Sequence, residues 1–173
     1  MIISIVVAMD ESNGIGRGGD LLWRLPRDMQ HFKNITLHHH VLMGRKTYLS
    51  IPEKFRPLPE RTNLVLSRSE AIIDAATTQF QTIDRAIDFA KSKGEEELMI
   101  IGGGELYKHT FDITDRIYLT RVHATFEADT FFPTIDMQQW TVEERVFFRA
   151  DDKNAYDMSF ITLERIKEAY SLA

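Results

Sequence analysis

Short apolar runs alternate with amphipathic segments along most of the chain. Five of these runs have the length and the β-branched content of strands. Ahead of the fourth run, Ile83, Ala86, Ile87 and Ala90 recur at i, i+3, i+4 and i+7, which predicts a helix. Strands that alternate with helices are typical of a largely parallel sheet with helices on its faces. The predicted strands are residues 2–9, 41–43, 63–67, 98–101 and 117–123.

The pattern changes after Pro133. Residues 140–149 and 156–165 are rich in strand-forming side chains, and the polar residues 151–154 join them. Two such runs around a polar turn predict an antiparallel hairpin. The chain is therefore expected to form one α/β domain over residues 1–173, with a doubly wound, mainly parallel mixed sheet, flanking helices and a C-terminal antiparallel hairpin.

Composition narrows the classes of function. The 173 residues are 43% hydrophobic and 27% charged, enough for a single core. A net charge of −5 argues against a nucleic-acid binder, and the absence of cysteine excludes disulfides and thiolate chemistry. The apolar N-terminal run has no basic segment before it and soon meets Asp10 and Glu11, so we interpret it as a strand rather than a signal peptide. We expect a cytoplasmic protein with small-molecule partners and no membrane association.

One acid occupies an unusual position on a predicted helix. Pro26 suits the first helical position, and a helix over Pro26–Thr36 places Asp28, Phe32 and Ile35 on one stripe. A carboxylate among apolar side chains needs a polar partner. The alternative is that Asp28 only complements the positive end of the helix.

Two apolar strands end in glycine turns that lead into predicted helices. They are Gly44-Arg45-Lys46-Thr47 and Gly102-Gly103-Gly104, and each is a plausible seat for a phosphate. Neither completes a G-x-G-x-x-G fingerprint or a Walker loop, which argues against a kinase. Doubly wound sheets bind ligands outside the carboxyl ends of their strands. The candidates that converge there are Ala8, Gly44, Ser67, Arg68, Gly102 and Thr120.

Positive side chains near these turns indicate which nucleotide binds. An acid at the next strand end favours a free ribose 2′-hydroxyl, whereas a 2′-phosphate requires Arg or Lys. Here the strand ends in Ser67-Arg68, and Arg45 and Lys46 lie in the first glycine turn. The set predicts NADP rather than NAD. The alternative for each cation is a solvated surface charge.

Six short motifs are spread along almost the whole chain: Ile15-Gly16, Trp23-Arg24-Leu25-Pro26-Arg27-Asp28, Met43-Gly44-Arg45-Lys46-Thr47, Arg56-Pro57-Leu58-Pro59, Ile101-Gly102-Gly103-Gly104 and Asp129-Thr130-Phe131-Phe132-Pro133. Their order and spacing resemble those of the dihydrofolate reductase family. The resemblance implies NADPH-dependent reduction of 7,8-dihydrofolate to 5,6,7,8-tetrahydrofolate on an eight-stranded sheet with four main helices. It also implies hydride transfer to C6, water-mediated protonation of N5, a monomer that binds antifolate-type molecules, and a cis Gly102-Gly103 peptide bond.

The resemblance also implies roles for individual residues. Asp28 would hold N3 and the 2-amino group of the pterin with support from Thr120, and Arg61 would hold the glutamate α-carboxylate. The implied catalytic residues are Asp28, Leu21 and Trp23. Core packing is the alternative for the apolar side chains Leu21, Phe32, Ile51 and Leu58. The implied substrate contacts are Val6, Ala8, Leu21, Asp28, Phe32, Ile51, Leu58, Arg61, Ile101 and Thr120.

The implied NADPH site is larger, and a glycine-rich loop borders it. The loop over residues 10–22 resembles the family's active-site lid, and the alternative is a flexible surface loop. Three positions depart from the family pattern: Leu22, Glu105 and Ala128. The implied cofactor contacts are Ala8, Ile15, Gly16, Gly44, Arg45, Lys46, Thr47, Leu66, Ser67, Arg68, Ile101, Gly102, Gly103, Gly104, Leu106, Tyr107 and Thr130.

Other signals are weaker. His38-His39-His40 lacks a nearby acid or cysteine in the sequence, so we expect no metal site, and Glu95-Glu96-Glu97 is interpreted as a solvated turn. Two rival functions stay open, a riboflavin-pathway pyrimidine reductase and a noncatalytic nucleotide-binding module. Desolvation near Trp23 and Phe32 is expected to raise the pKa of Asp28, unless hydrogen bonds to its charged form prevail.

Overall fold

A computed structural model describes residues 1–167, which form an α/β fold. No helix in this range is long and apolar enough to cross a bilayer. The helices are α1 (Pro26–Thr36), α2 (Arg45–Ser50), α3 (Ile83–Ser92) and α4 (Gly104–Thr110), with 3₁₀ turns at Glu53–Phe55 and Phe111–Ile113. The strands are β1 (Ile2–Met9), β2 (Gly14–Gly16), β3 (His40–Gly44), β4 (Thr62–Leu66), β5 (Thr78–Phe80), β6 (Glu97–Gly102), β7 (Arg116–Val122), β8 (Thr130–Phe131), β9 (Trp140–Phe148) and β10 (Met158–Arg165).

Eight strands form the main sheet in the order β5-β4-β3-β6-β1-β7-β10-β9. The pairs from β5 to β7 are parallel, whereas β10 runs antiparallel to both β7 and β9. This confirms the predicted mainly parallel sheet and the C-terminal hairpin. The sequence pattern missed β5, together with the separate two-stranded sheet of β2 and β8. These strands have three residues or fewer, too few to show a period.

Apolar side chains cover both faces of the sheet. Along β1, Ile5 and Val7 belong to one core cluster, while Val6 between them belongs to another. This division follows from the alternation of side chains along a strand. The predicted helix α3 buries Ala86, Ile87 and Ala90. Burial on both faces explains why the central strands are almost continuously apolar.

The hairpin between β9 and β10 also positions the first helix. The predicted turn is confirmed, because Asp151 Oδ1 accepts hydrogen bonds from the main-chain N–H groups of Lys153 and Asn154 at 2.9 and 2.8 Å. Asn154 Oδ1 in turn accepts the Arg27 N–H at 3.0 Å. The hairpin turn therefore supplies an acceptor to the first turn of α1, which no side chain of α1 itself caps. Asp28 lies one residue further along that turn.

The expected solvated turn at residues 95–97 is wrong for Glu95. Only 7% of its side chain is exposed, and His39 Nδ1 and His40 Nδ1 lie 2.9 and 2.6 Å from its two carboxylate oxygens. The fold brings an acid to the histidine run that sequence proximity did not show. Within residues 1–167, however, no group of three or more His, Cys, Asp or Glu residues is arranged to hold a metal ion.

Candidate active site

The two glycine turns lie side by side at the carboxyl edge of the sheet. A Cβ atom placed on Gly44 would lie 3.9 Å from both the Gly102 carbonyl oxygen and the Gly103 nitrogen. Placed on Gly103, it would lie 3.2 Å from Thr47 Oγ1. The Gly102-Gly103 peptide bond is cis, as the resemblance implied, and Gly102 has a φ of 118°. The main chains of the two turns thus lie next to each other, with the Thr47 hydroxyl beside Gly103.

Helices α2 and α4 begin at this surface with free N-terminal ends. Their N-cap residues are Gly44 and Gly103, and neither helix receives a side-chain cap. Because the first N–H groups of a helix have no partner within it, they are available to an anion. The arrangement supports the predicted phosphate seat.

Asp28 on α1 faces the sheet rather than the end of its own helix. Thr120 Oγ1 on β7 donates a hydrogen bond of 2.7 Å to Asp28 Oδ1. Burial raises the pKa of Asp28, and the bond from Thr120 opposes that rise by stabilising the charged form. Burial therefore affects the pKa of Asp28 more than the hydrogen bond does, a balance that the sequence alone did not decide. Ala8 is the register partner of Thr120 on β1, so it lies beside the acid.

Apolar candidates from α1 and the sheet share one cluster on the face that α1 covers. Phe32 on α1 packs with Ile51 and Leu58 against the cluster that contains Val6, and Ile101 belongs to the same cluster. Four of these five candidates are only partly buried, so they retain surface that a ligand can cover. The structure thus brings together most of the predicted substrate contacts.

Leu21 and Trp23 occupy different environments at the end of the lid loop. Leu21 is 72% exposed, and it lies outside that apolar cluster. Trp23 is buried, with its ring centroid 5.5 Å from that of Phe126. Leu22, one of the departures from the family pattern, packs against the same cluster as Trp23. The roles of Leu21 and Trp23 remain predictions.

Arg61 is held beside the C-terminal end of α1. Its Nε donates to the Pro59 carbonyl at 2.9 Å, and its Nη1 donates to Thr36 Oγ1 at 3.1 Å. Thr36 is fully buried at the end of α1. The guanidinium is thereby oriented relative to the helix that carries Asp28 and Phe32.

Three exposed cations surround the glycine turns. Arg45, Lys46 and Arg68 make no salt bridge to any of residues 1–167. Ser67 is buried, and its Oγ accepts the Ser69 N–H at 3.2 Å. The register pairs Gly44 with Leu66, which brings the residues after β4 close to the first glycine turn.

The remaining cofactor candidates lie around the second turn. Tyr107 is buried beneath Gly102 and donates its hydroxyl to the Val6 carbonyl at 2.8 Å. The side chain of Leu106 belongs to the main core, and Glu105 is exposed. A Cβ on Gly104 would lie 2.6 Å from Thr130 Cγ2 and 3.8 Å from Ile15 Cδ1, so α4 begins directly against β2 and β8.

The lid loop is fastened to the loop that follows β7. Asp129 Oδ2 accepts the Gly18 N–H at 2.8 Å, and the Asp129 N–H donates to the Gly16 carbonyl at 3.0 Å. Ala128, another departure from the family pattern, lies against the lid loop. A Cβ placed on Gly14 would be only 2.8 Å from the Ala128 Cβ.

Sequence reasoning missed two buried polar residues that bond to segments of the predicted site. Asn63 is buried on β4, where its Oδ1 accepts the Leu58 N–H and its Nδ2 donates to the Leu58 carbonyl, both at 2.9 Å. Asparagine is unfavourable inside a strand, so its presence there was the available signal. Asp10 at the start of the lid loop was also missed, although an acid directly after an apolar strand was visible.

The fold and these contacts are typical of the α/β proteins that bind a nucleotide cofactor at the carboxyl edge of their sheet. Comparisons with known proteins agree. The family model for dihydrofolate reductase matches residues 2–165. The chain belongs to the dihydrofolate reductase family and is an NADP-dependent oxidoreductase.

Individual relatives match over nearly their whole length. The chain is 38% identical to dihydrofolate reductase of Bacillus subtilis (strain 168) over 164 residues, which is 95% of each chain. It is 41% identical to dihydrofolate reductase type 3 of Salmonella typhimurium over 165 residues, which is 95% of this chain and 99% of the relative. A solved structure of dihydrofolate reductase from Enterococcus faecalis with NADP(H) and RAB-propyl is 33% identical, with a TM-score of 0.87, and the alignment covers 96% of this chain and 97% of the other.

Proposed function

We propose that the chain reduces 7,8-dihydrofolate to 5,6,7,8-tetrahydrofolate, with hydride delivered to C6 and a proton delivered to N5 through water. The observation that carries the proposal is the partly buried Asp28, bonded to Thr120 at the start of α1, with Arg61 bonded to Thr36 at the end of the same helix and the apolar cluster of Phe32 between them. In dihydrofolate the pterin, the aminobenzoyl linker and the glutamate carboxylate follow one another. This order matches that of Asp28, the apolar cluster and Arg61 along α1.

The residues present fit NADPH. Helices α2 and α4 begin at Gly44 and Gly103 without a side-chain cap, so their first main-chain N–H groups are available to a pyrophosphate. The exposed cations Arg45, Lys46 and Arg68 suit a 2′-phosphate. When bound, NADPH supplies the hydride for the reduction.

Asp28 has two tasks in this proposal. Its carboxylate can accept two parallel hydrogen bonds from the N3 and 2-amino edge of the pterin, while one oxygen also accepts the Thr120 hydroxyl. Since burial raises the pKa of Asp28, the carboxylate binds a protonated partner more readily than an exposed acid does. Asp28 therefore anchors the ring and favours its protonated form, while water carries the proton to N5.

The apolar cluster and Arg61 orient the rest of the substrate. Phe32, Ile51 and Leu58 offer partly buried apolar surface to the aminobenzoyl group. The guanidinium of Arg61 is already oriented by Pro59 and Thr36, so it can bind the glutamate α-carboxylate with little loss of side-chain entropy.

The decisive experiment follows NADPH absorbance after dihydrofolate is added to the purified protein. We expect rapid oxidation by the wild type and a large loss in Asp28→Asn, strongest at neutral pH and weaker where the substrate is already protonated. Asp88→Asn on the exposed face of α3 is the matched control and is expected to keep full activity. NADPH binding without oxidation would instead favour a pyrimidine reductase or a noncatalytic nucleotide-binding module.

Two further expectations complete the proposal. The protein acts as a monomer, as the family resemblance implies, and it works in the cytoplasm on small molecules rather than on nucleic acid. Light scattering of the purified protein tests the first expectation, since a dimer would double the measured mass.

A further inference from the structure

A buried carboxylate that the proposed chemistry does not use lies at the start of the lid loop. Asp10 directly follows β1, and none of its surface is exposed. Its Oδ1 accepts the N–H groups of Ser12 and Gly14 at 2.8 and 2.7 Å, and its Oδ2 accepts the Phe126 N–H at 2.9 Å. No lysine, arginine or histidine among residues 1–167 forms a salt bridge with it. A buried charge is costly unless it is compensated. These three main-chain hydrogen bonds compensate for it, and the nearby Arg121 guanidinium adds a favourable charge interaction.

These bonds connect two segments that are distant in sequence. The first is the lid loop (residues 10–22), and the second is the bracing loop, which we define as residues 124–131. Asp10 and Phe126 join the two loops at their buried end across 116 residues of sequence. At the exposed end, Asp129 contacts Gly16 and Gly18 of the lid loop. The two loops are therefore fastened at both ends. At the buried end the Asp10 carboxylate acts together with the Glu11 N–H, which donates to the Ala124 carbonyl at 3.0 Å.

Close packing around Gly14 shows how tightly the buried end is built. A Cβ on Gly14 would lie 3.0 and 3.1 Å from the two carboxylate oxygens of Asp10. It would also lie 2.8 Å from the Cβ of Ala128 in the bracing loop. Only a residue without a side chain lets the lid loop pass between the carboxylate and the bracing loop at these distances.

The start of the lid loop is also attached to β7 and its C-terminal end. Arg121 Nη1 donates to the Asp10 carbonyl at 2.7 Å and to Asn13 Oδ1 at 2.8 Å. Just beyond the strand, His123 Nδ1 lies 2.6 Å from Glu11 Oε1. The first residues of the lid loop are therefore held against β7, and the hydrogen bond from the Gly14 N–H to the Asp10 carboxylate helps to position the residues that follow.

We propose that Asp10 is a positioning residue for the NADPH site. Together with the pairing of β2 with β8, it holds Ile15 and Gly16 against the bracing loop, and Ile15 lies beside the start of α4. The inference rests on the proposed function, because it assigns to Asp10 the placement of predicted cofactor contacts. Asp10 thus adds a buried contact between the two loops to the exposed contact at Asp129.

The isosteric variant Asp10→Asn tests the proposal. One amide oxygen can still accept the N–H groups of Ser12 and Gly14, but the amide NH₂ would then face the Phe126 N–H, donor against donor. We expect the Kd and the KM for NADPH to rise about tenfold, the effect of one lost charge-assisted hydrogen bond. The KM for dihydrofolate should change less than twofold, because its predicted contacts lie mainly on α1 and the sheet.

Amide hydrogen exchange gives a second readout that needs no turnover. Exchange in residues 14–18 and 126–131 should accelerate in the ligand-free variant, while exchange in α1 stays at the wild-type rate. Asp136→Asn is the matched control, since Asp136 Oδ1 accepts the Gln138 N–H at 3.0 Å in an exposed turn. It should change neither NADPH affinity nor exchange in the lid loop.

Unchanged NADPH affinity in Asp10→Asn would overturn the inference. Equal changes in both KM values, in step with a lower unfolding midpoint, would also overturn it by showing a purely structural role. If the variant does not fold, Gly14→Ala takes its place, because the added methyl group presses on the same carboxylate without removing its charge. Since NADPH binding and hydrogen exchange need no dihydrofolate, failure of the proposed reaction would remain distinguishable.

Discussion

Thr120 Oγ1 donates a hydrogen bond of 2.7 Å to Asp28 Oδ1, across 92 residues of sequence. The bond connects α1 to the middle of the sheet and fixes the orientation of an acid whose pKa is raised by burial. A partly buried acid held in this way favours ligand binding at the expense of the stability of the ligand-free protein.

Asp28→Asn should stabilise the ligand-free protein at neutral pH. Because the folded-state pKa of Asp28 is raised, its contribution to stability is fully present below the unfolded value and is lost as pH rises through the folded value. The neutral amide keeps that contribution at pH 7 and can still accept the Thr120 hydroxyl. We expect a gain of about 0.5 to 2 kcal/mol in the free energy of unfolding by urea.

The pH dependence of that gain identifies its cause. It should shrink as pH falls, because the wild-type acid then becomes neutral as well. Asp88→Asn, on the exposed face of α3, should show no gain at any pH. A loss of stability in Asp28→Asn at pH 7 would contradict the prediction.

Arg61→Lys should weaken the binding of dihydrofolate. Arg61 donates to Pro59 and Thr36 and still presents further N–H groups to a carboxylate, whereas a lysine has no planar fork. We expect the Kd for dihydrofolate to rise about tenfold, while the Kd for NADPH stays unchanged. Titration calorimetry with each ligand separates the two effects. Arg145→Lys on the exposed strand β9 is the control, and an unchanged Kd in Arg61→Lys would remove Arg61 from the site.

Arg68→Ala should reduce the preference for NADPH over NADH. The side chain is exposed beside the first glycine turn, without a salt bridge to residues 1–167, so it is available to a 2′-phosphate. Loss of one charge-assisted contact should lower the ratio of kcat/KM values for the two cofactors about tenfold. Arg145→Ala should leave the ratio unchanged. The same ratio in both variants would mean that Arg68 is only a solvated charge.

Glu95→Gln should destabilise the protein at neutral pH. Burial alone would raise the pKa of Glu95, but hydrogen bonds from His39, His40 and the Glu97 N–H lower it to about 2. The contribution of the carboxylate is therefore present above its unfolded pKa near 4.5 and is lost as pH falls toward 2.

We expect Glu95→Gln to lose about 2 to 3 kcal/mol in the free energy of unfolding at pH 7. The difference from the wild type should narrow steadily between pH 5 and about pH 2 as the wild-type carboxylate becomes protonated. Glu96→Gln next to it is the exposed control and should match the wild type throughout. A constant difference across this range would show that the carboxylate charge is not responsible.

The sequence by itself determined the elements that depend on local patterns. Helix α1 begins at Pro26 and ends at Thr36 as predicted, because the proline and the apolar period lie within the helix itself. The glycine turns at Gly44 and Gly102 were visible for the same reason. The family resemblance supplied what no local pattern contains, such as the cis peptide bond at Gly102-Gly103.

Only the tertiary structure decided which polar groups are buried and with which partners. The apolar stripe placed Asp28 on the correct face of α1, but the bond to Thr120 and the direction of its pKa shift depend on how α1 packs on β7. The burial of Glu95 against His39, and of Asp10 against Phe126, joins residues 56 and 116 positions apart. The strength of a hydrogen bond and the cost of burying a charge depend on spatial neighbours, and folding brings those neighbours together from distant parts of the chain.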